Sequence, residues 1–556
     1  MIEEINLKFG RAAKLEPVTI NTSAVTVFVG PNNSGKSKAL REIFEYCKSG
    51  NKNPDAVIIN NIAFSSFSLH KAEEILNKVT LARRKNEHLN QGSIIVGKRG
   101  TRHQIDKSQL LDALQNPNQN QRVICPYYLE YNTLLLDGKS RIGLVNEQNA
   151  GDLQENPSTS LQVLVSDDYK RKEIRRIVYD AFKTYFVIDP TNLGKLRIRL
   201  SDTEPKNDIE EIGILKPSTE FHSRAKHINE ASDGVKAFTG MLTEIIAGDP
   251  NILLIDEPEA FLHPALSFNL GKEVSQASLE AEKRLFISTH SPSFVMGCIQ
   301  SDAPVNIVRL TYRDSVATAR ILPNDDILKL MRNPLLRSTR VMSGLFAESV
   351  IVTESDTDRA FYEEINERLL RFNPDFGIPN CLFINAQNKQ TVHTIIRPLR
   401  ELGIPTAGII DVDILKEGGS VWAQFLSGAF VPEIVRNAFS HSRSDLKKKL
   451  DESGLNMKKD GGIDILDSDD RQAAIDLFDQ LDEYGLFVVR NGELESWLKT
   501  LNVTGHGPSW LINIFEEMGE DPDSSNYLKP SNNDVWMFIG SIKKWLLNQS
   551  RKGIPT

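Results

Sequence analysis

Apolar and polar positions along this chain follow two periods, and the period separates its strands from its helices. Apolar, β-branched runs at 2–9, 18–21 and 25–29 predict strands. A helical pattern follows from Lys36 through Phe44. Runs at 57–59 and 93–96 predict short strands, and 72–85 predicts a helix ending in Arg83, Arg84 and Lys85. The stretch 116–121 is a polar loop. Ile174, Ile177, Val178, Ala181 and Phe182 have helical spacing within 166–186, and 169–176 is strongly basic. Residues 196–200 alternate strictly, which predicts a strand with one wet face, and 201–220 reads as a polar connection. Helical spacing at 237–246 leads into an apolar strand at 252–257 that ends in two acids and another strand at 285–291. After a basic linker at 337–340 the pattern restarts: a strand at 349–353, a helix carrying Phe361, Ile365 and Leu369, and strands at 407–413 and 486–490. Apolar strands alternating with helices predict the α/β class in both halves.

Composition narrows this picture a little. A chain of 556 residues is too long for one core, so two to four domains are expected. Net charge is −8 and the isoelectric point about 5.8, which excludes a chain that is basic throughout but not a local nucleic-acid patch. Cys47, Cys125, Cys298 and Cys381 are scattered with no C-x-x-C pair, so neither a disulfide framework nor a zinc site is expected. That usage fits a reducing cytoplasm. No signal peptide is read at Met1-Ile2-Glu3-Glu4, and no apolar run reaches the ~20 residues of a membrane span.

The first chemistry is Gly30-Pro31-Asn32-Asn33-Ser34-Gly35-Lys36-Ser37, set between a strand and a helix. Its glycines let backbone N–H groups turn toward phosphate oxygens, and the new helix adds its positive end. Lys36 can reach the outer phosphates of ATP or GTP, and the Ser37 hydroxyl can ligate Mg²⁺. Downstream, Asp256 and Glu257 end an apolar strand, as an acid for Mg²⁺ and a general base toward water. Ser232 and Gly234 open a helix and offer a second anion site, and His290 ends the strand read over 285–291, where it can bond a γ-phosphate.

The second chemistry is acidic. Glu354 follows the strand 349–353, and Asp358 lies in the first turn of the next helix, which Ser355 or Asp356 can cap. Asp411 and Asp413 are two apart, so on a strand they face one ligand. Gathered carboxylates repel unless a hard cation such as Mg²⁺ or Mn²⁺ neutralises them. Glu493 and Glu495 follow the last strand.

The loop, Ser232-Asp233-Gly234, Asp256-Glu257-Pro258-Glu259 and Ser288-Thr289-His290 together resemble an ABC-type ATPase head of the DNA-repair and SMC-like branch. The resemblance implies a mixed sheet with flanking helices over 1–345, with 160–220 as an arm or dimerisation insertion. It implies two heads sandwiching ATP, with Ser232 of one chain reaching the nucleotide of the other. The glutamine that senses Mg²⁺ in such heads has two candidates, Gln148 and Gln162. Residues 346–500 resemble a Toprim domain with a helical insertion at 415–485, completed by a helical segment at 501–556. The resemblance implies metal ligation by Glu354, Asp358, Asp411, Asp413 and either Glu495 or Glu493.

A head followed by a Toprim domain resembles the OLD-family (overcoming lysogenization defect) endonucleases and the related Gabija nuclease. This implies an ATPase and a Mg²⁺- or Mn²⁺-dependent DNA endonuclease of anti-phage defence, a dimer through its heads or a tetramer. An accessory defence subunit or a retron nucleic acid would be further partners. It also implies a C-terminal lysine that assists cleavage, matched by Lys543 or Lys544. The basic runs at 83–85, 170–176, 447–449 and 543–544 are candidate phosphate contacts. The competing reading is a DNA-binding ATPase of repair or SMC type whose Toprim domain binds without cutting.

Overall fold

The strand β3 (Val25–Val29), buried at every position, lies at the centre of a sheet with both faces covered. The computed structural model describes residues 1–84, 87–98, 101–152, 157–313, 315–322, 324–334, 336 and 341–555. They form two units, Met1–Asn324 and Asp325–Thr556. Lys85 and the 337–340 linker lie outside the described residues.

In the first unit β1 (Ile2–Gly10) pairs antiparallel with β2 (Pro17–Asn21) and β4 (Ile59–Phe64). A ribbon of β5 (Ser93–Val96) and β6 (His103–Asp106) stands apart. The main sheet runs in the order β15 (Val316–Leu322), β14 (Val305–Arg313), β3, β13 (Arg284–Ser288), β12 (Ile252–Asp256), β7 (Thr133–Leu136). All are parallel except β15, which makes the sheet mixed. The register pairs Asp256 with Ser288 and Ser288 with Phe28, so the strands carrying the loop and the acids end level. That common carboxyl edge is where ligands bind in open α/β sheets. A third sheet, β8 (Gln148–Asn149), β9 (Tyr185–Asn192), β10 (Lys195–Ser201) and β11 (Lys226–His227), packs with the helix Asp168–Phe182 around Ile174, Val178 and Ile198.

Several local expectations change. Residues 57 and 58 precede β4 rather than forming a strand, because the buried Glu42 carboxylate accepts the N–H groups of Val57, Ile58 and Ile59 at 2.8, 3.0 and 2.8 Å. This anchors the loop beside the phosphate-loop helix, Lys36–Ser49. Glu42→Ala would orphan three backbone donors, two of them on buried residues, and is expected to cost about 3 kcal/mol in denaturant unfolding; an unchanged midpoint would contradict it. The helix predicted to reach residue 85 ends at Val79, where Thr80 bridges to Val96. The 201–220 stretch is not only connection: it holds the helix Asp208–Ile212 and the start of the helix Lys216–Arg224.

In the second unit β17 (Cys381–Asn385), β16 (Ser349–Thr353), β18 (Thr406–Asp411) and β19 (Leu486–Val489) form an all-parallel sheet in that order. Between β18 and β19 the chain runs through the helices Gly419–Gly428, Glu433–Glu452 and Ser468–Asp482. The helix Asp356–Phe372 packs Phe361, Tyr362, Ile365 and Leu369 against Trp497, Trp510, Trp536 and Trp545. Among the described residues no helix is long and apolar enough to cross a membrane.

Candidate functional site

Both candidate centres lie at carboxyl ends of parallel strands. In the first unit, β3 turns at Gly30, whose φ of 141° suits glycine and where a Cβ would come within 2.0 Å of the Leu310 carbonyl. Asn33 and Gly35 also take positive φ, of 60° and 95°. Ser34 is buried in this turn beside Asn32. Lys36 folds back on the loop and donates to the carbonyls of Gly30 and Pro31 at 2.9 and 2.7 Å. Burial lowers its ammonium to about 8, against the pull of Glu257 and Asp256.

Ser37 Oγ donates to Asp256 Oδ1 at 2.8 Å, and Ser288 donates to the same oxygen. A serine hydroxyl and a strand-end carboxylate are thus joined across most of the unit's sequence, as an octahedral Mg²⁺ site with phosphate ligands requires. Glu257 takes φ 51°, its N–H donates to Ser288 O at 2.8 Å, and Oε1 lies 3.7 Å from His290 Nε2. Burial, then Lys36, lower the His290 imidazole, which favours its neutral form.

Two residues here were not singled out from sequence. Glu259 Oε1 accepts from Thr289 Oγ1 and His290 N, both at 2.8 Å, while its other oxygen is buried without a hydrogen-bond partner. Burial raises its carboxyl. Buried Arg141, just past β7, donates to the Glu257 carbonyl. A Glu two places after the candidate base Glu257 is visible in sequence; Arg141 carries no sequence signal.

Ser232 caps the helix Asp233–Ala247 by position, with no side-chain cap bond, and a Cβ on Gly234 would meet Phe261 O at 2.7 Å. Gln148 and Gln162 do not join this group. They bond their own neighbourhood, Gln148 with Ser160 and Leu161 N, Gln162 with Asn149 O and Ser158 N.

In the second unit a cleft of about 450 Å³ is lined by Glu354, Asp358, Asp411, Glu493 and Glu495, together with Lys389, Lys458 and His506. Glu354 Oε1 accepts the Asp411 N–H at 2.9 Å. Glu354, Asp411 and Asp413 offer oxygens within 4.8 Å of one another, and so do Glu493, Glu495 and His506 as a separate group. Asp411 ends β18, but Asp413 lies on the following 3-10 turn, Val412–Lys416, rather than on the strand. The strand ends because the chain turns at the sheet edge, and the turn rather than strand pleat brings both acids together. Asp358 is committed to a capping box with Ser355. Glu495 Oε1 accepts the Gly507 N–H at 2.8 Å and lies 2.7 Å from His506 Nδ1.

Burial, then Asp411, push Glu354 up to about 8, and burial raises Asp411, Asp358 and Asp482 as well. A carboxyl raised on folding keeps a proton that the unfolded chain has lost, so its effect on stability is absent below pH 4.5 and grows unfavourable as pH rises through 8. Unfolding in chelator should therefore show stability falling from pH 5 to pH 8; a rise across that window would contradict the burial of these acids. Removing this penalty is what a divalent cation does, and the buried, unpartnered Asp413 Oδ1 is one oxygen left for it.

The C-terminal lysines are elsewhere. Lys543 donates to Pro374 O at 2.7 Å, Lys544 is exposed, and neither lines the cleft. The cations in the cleft are Lys458, 2.8 Å from Asp411 Oδ2, and Lys389, 2.8 Å from Asp413 Oδ2. Other basic runs are internally paired: Arg171 and Arg175 are buried on Glu211 at 3.1 and 2.6 Å, and Lys447, Lys448 and Lys449 face Asp451, Glu452 and Asp470.

Residues 168–296 match the AAA domain model that takes its description from an AbiEii toxin of a type IV TA system. Residues 345–413 match the TOPRIM domain model of proteins like the overcoming lysogenization defect protein. No curated protein matches the chain. Solved structures similar to part of it include an Smc head bound to the C-terminal winged-helix domain of ScpA, at 16% identity and TM-score 0.33, covering 59% of this chain and 99% of that one. The SMC head domain from Thermotoga maritima is similar at 13% identity and TM-score 0.29, covering 58% and 99%. The chain thus carries an AAA-type ATPase domain followed by an OLD-like Toprim domain, the domain order of an OLD-type ATPase–Toprim fusion.

Proposed function

We propose that the protein is a metal-dependent DNA endonuclease whose ATPase head controls cleavage by the Toprim domain, acting in defence against phage. The observation that carries this reading is the convergence of five carboxylates, from three strand ends of the sheet, on one cleft. Glu354, Asp411 and Asp413 would hold one divalent ion and Glu493 with Glu495 a second, Asp358 standing behind them. Such ions supply an activated water and stabilise the leaving oxygen. The chain's own part is to keep the acids within reach of one another through the Asp411 N–H and Gly507 N–H bonds, and to present Lys389 and Lys458 to a phosphate.

In the head, Gly30 to Ser37 would cradle the phosphates of ATP, and Ser37 with Asp256 would hold its Mg²⁺. Glu257 would take the proton of the attacking water and His290 would bond the γ-phosphate. Arg141 and Glu259 would fix the backbone on either side of that pair. Ser232 begins a 15-residue helix with its hydroxyl free of a cap bond, which supports its use by a second chain in a head dimer.

Supercoiled plasmid incubated with the full chain and Mn²⁺ or Mg²⁺ should be nicked, and chelator should stop it. Intact plasmid at every metal concentration, with ATP hydrolysis retained, would favour the non-cutting reading.

A further inference from the structure

Lys458 is placed between the two acidic groups of the cleft. Its Nζ is 2.8 Å from Asp411 Oδ2, 3.4 Å from Glu493 Oε2 and 3.8 Å from Asp413 Oδ2. It comes from the segment between β18 and β19, in the turn after the helix Glu433–Glu452, and not from the sheet.

That turn is built to aim it. Asn456 N donates to Asp460 Oδ2 at 2.7 Å, and Lys458 N donates to Asn456 Oδ1 at 3.0 Å. Met457 is buried. The Lys458 carbonyl lies against Gly492, where a Cβ would come within 2.1 Å and φ is +129°. A larger residue at 492 would push the turn, and its lysine, out of the cleft.

An ammonium at 2.8 Å from Asp411 Oδ2 stands where a divalent ion bound at 2.0–2.6 Å to the same oxygen would meet strong repulsion. Lys389 is different: it reaches Asp413 Oδ2 and Glu417 Oε1, at one edge of the group.

Resting on the nuclease reading of this cleft, we propose that Lys458 is a tethered cation that holds Asp411 and Glu493 in place and competes with divalent metal for them. It is a positioning residue that sets the metal concentration at which the site fills. Metal entry then requires Lys458 to leave Asp411, which frees its ammonium for a substrate phosphate.

The test is Mn²⁺ binding to the full-length protein, by calorimetry or by the loss of free-ion electron paramagnetic resonance signal. Lys458→Met should bind Mn²⁺ about tenfold more tightly than wild type. Lys458→Arg, which keeps the cation, should stay within about twofold. Lys459→Met removes the same charge from an exposed neighbour and should change nothing. Lys458→Gln replaces the Met variant if melting shows that the latter does not fold. Unchanged or weaker binding in Lys458→Met or Lys458→Gln overturns the proposal, and so does equal tightening by Lys459→Met or Lys458→Arg. Absence of Mn²⁺ binding in every variant overturns the metal-site reading and this inference with it, whereas binding that Lys458 does not affect overturns the inference alone.

Discussion

Glu257→Gln is expected to lower ATP hydrolysis by about 10²- to 10⁴-fold while leaving ATP binding within a few-fold of wild type. The side chain is half exposed at the end of β12, 3.7 Å from His290. Its backbone is pinned by Ser288 O on one side and Arg141 on the other, at a φ of 51° that a glutamate adopts only when its surroundings impose it. Glutamine keeps that geometry and the volume but cannot accept the proton. Nucleotide should then accumulate on the protein and, if Ser232 serves a partner's site, an ATP-dependent dimer should persist. Near wild-type turnover would remove Glu257 from the role of base and turn attention to Glu259.

Asp411→Asn is expected to reduce metal-dependent nicking by more than about a hundredfold, beyond the loss that follows from disturbing an outer partner of a metal ligand. Asp411 is the residue both acidic groups share through Lys458, and its backbone N–H holds Glu354. The amide preserves that backbone bond, so unfolding is not the expected cause. ATP hydrolysis should be unchanged. Cleavage at a wild-type rate would exclude Asp411 as a ligand.

The parts of this protein that were legible in its sequence are those whose chemistry is local. A glycine loop between strand and helix, and acids at the ends of apolar strands, carry their own context, and Gly30, Ser37, Asp256, Glu354 and Asp411 stand where spacing put them. Residues that act through tertiary contact were not legible. Arg141 reaches Glu257 across adjacent strands, and Lys458 reaches Asp411 from within a helical insertion; in sequence both are ordinary basic residues. Charge runs misled for the same reason. Arg171 and Arg175 read as phosphate contacts because their counter-charge, Glu211, lies well outside any local window. Period two predicts Asp413 on a strand with Asp411, while a 3-10 turn achieves the same convergence by another route. Lys543 and Lys544 matched by spacing alone, and the helix that carries them faces Pro374 instead.

The central claim is that the ATPase head controls a metal-dependent nuclease in the same chain. Plasmid nicking by the full-length protein in Mn²⁺, compared without nucleotide, with ATP and with a non-hydrolysable analogue, tests it most directly. The expected result is nicking that chelator abolishes and whose rate differs several-fold among the three nucleotide conditions. No nicking under any of them, or one rate under all three, would contradict it.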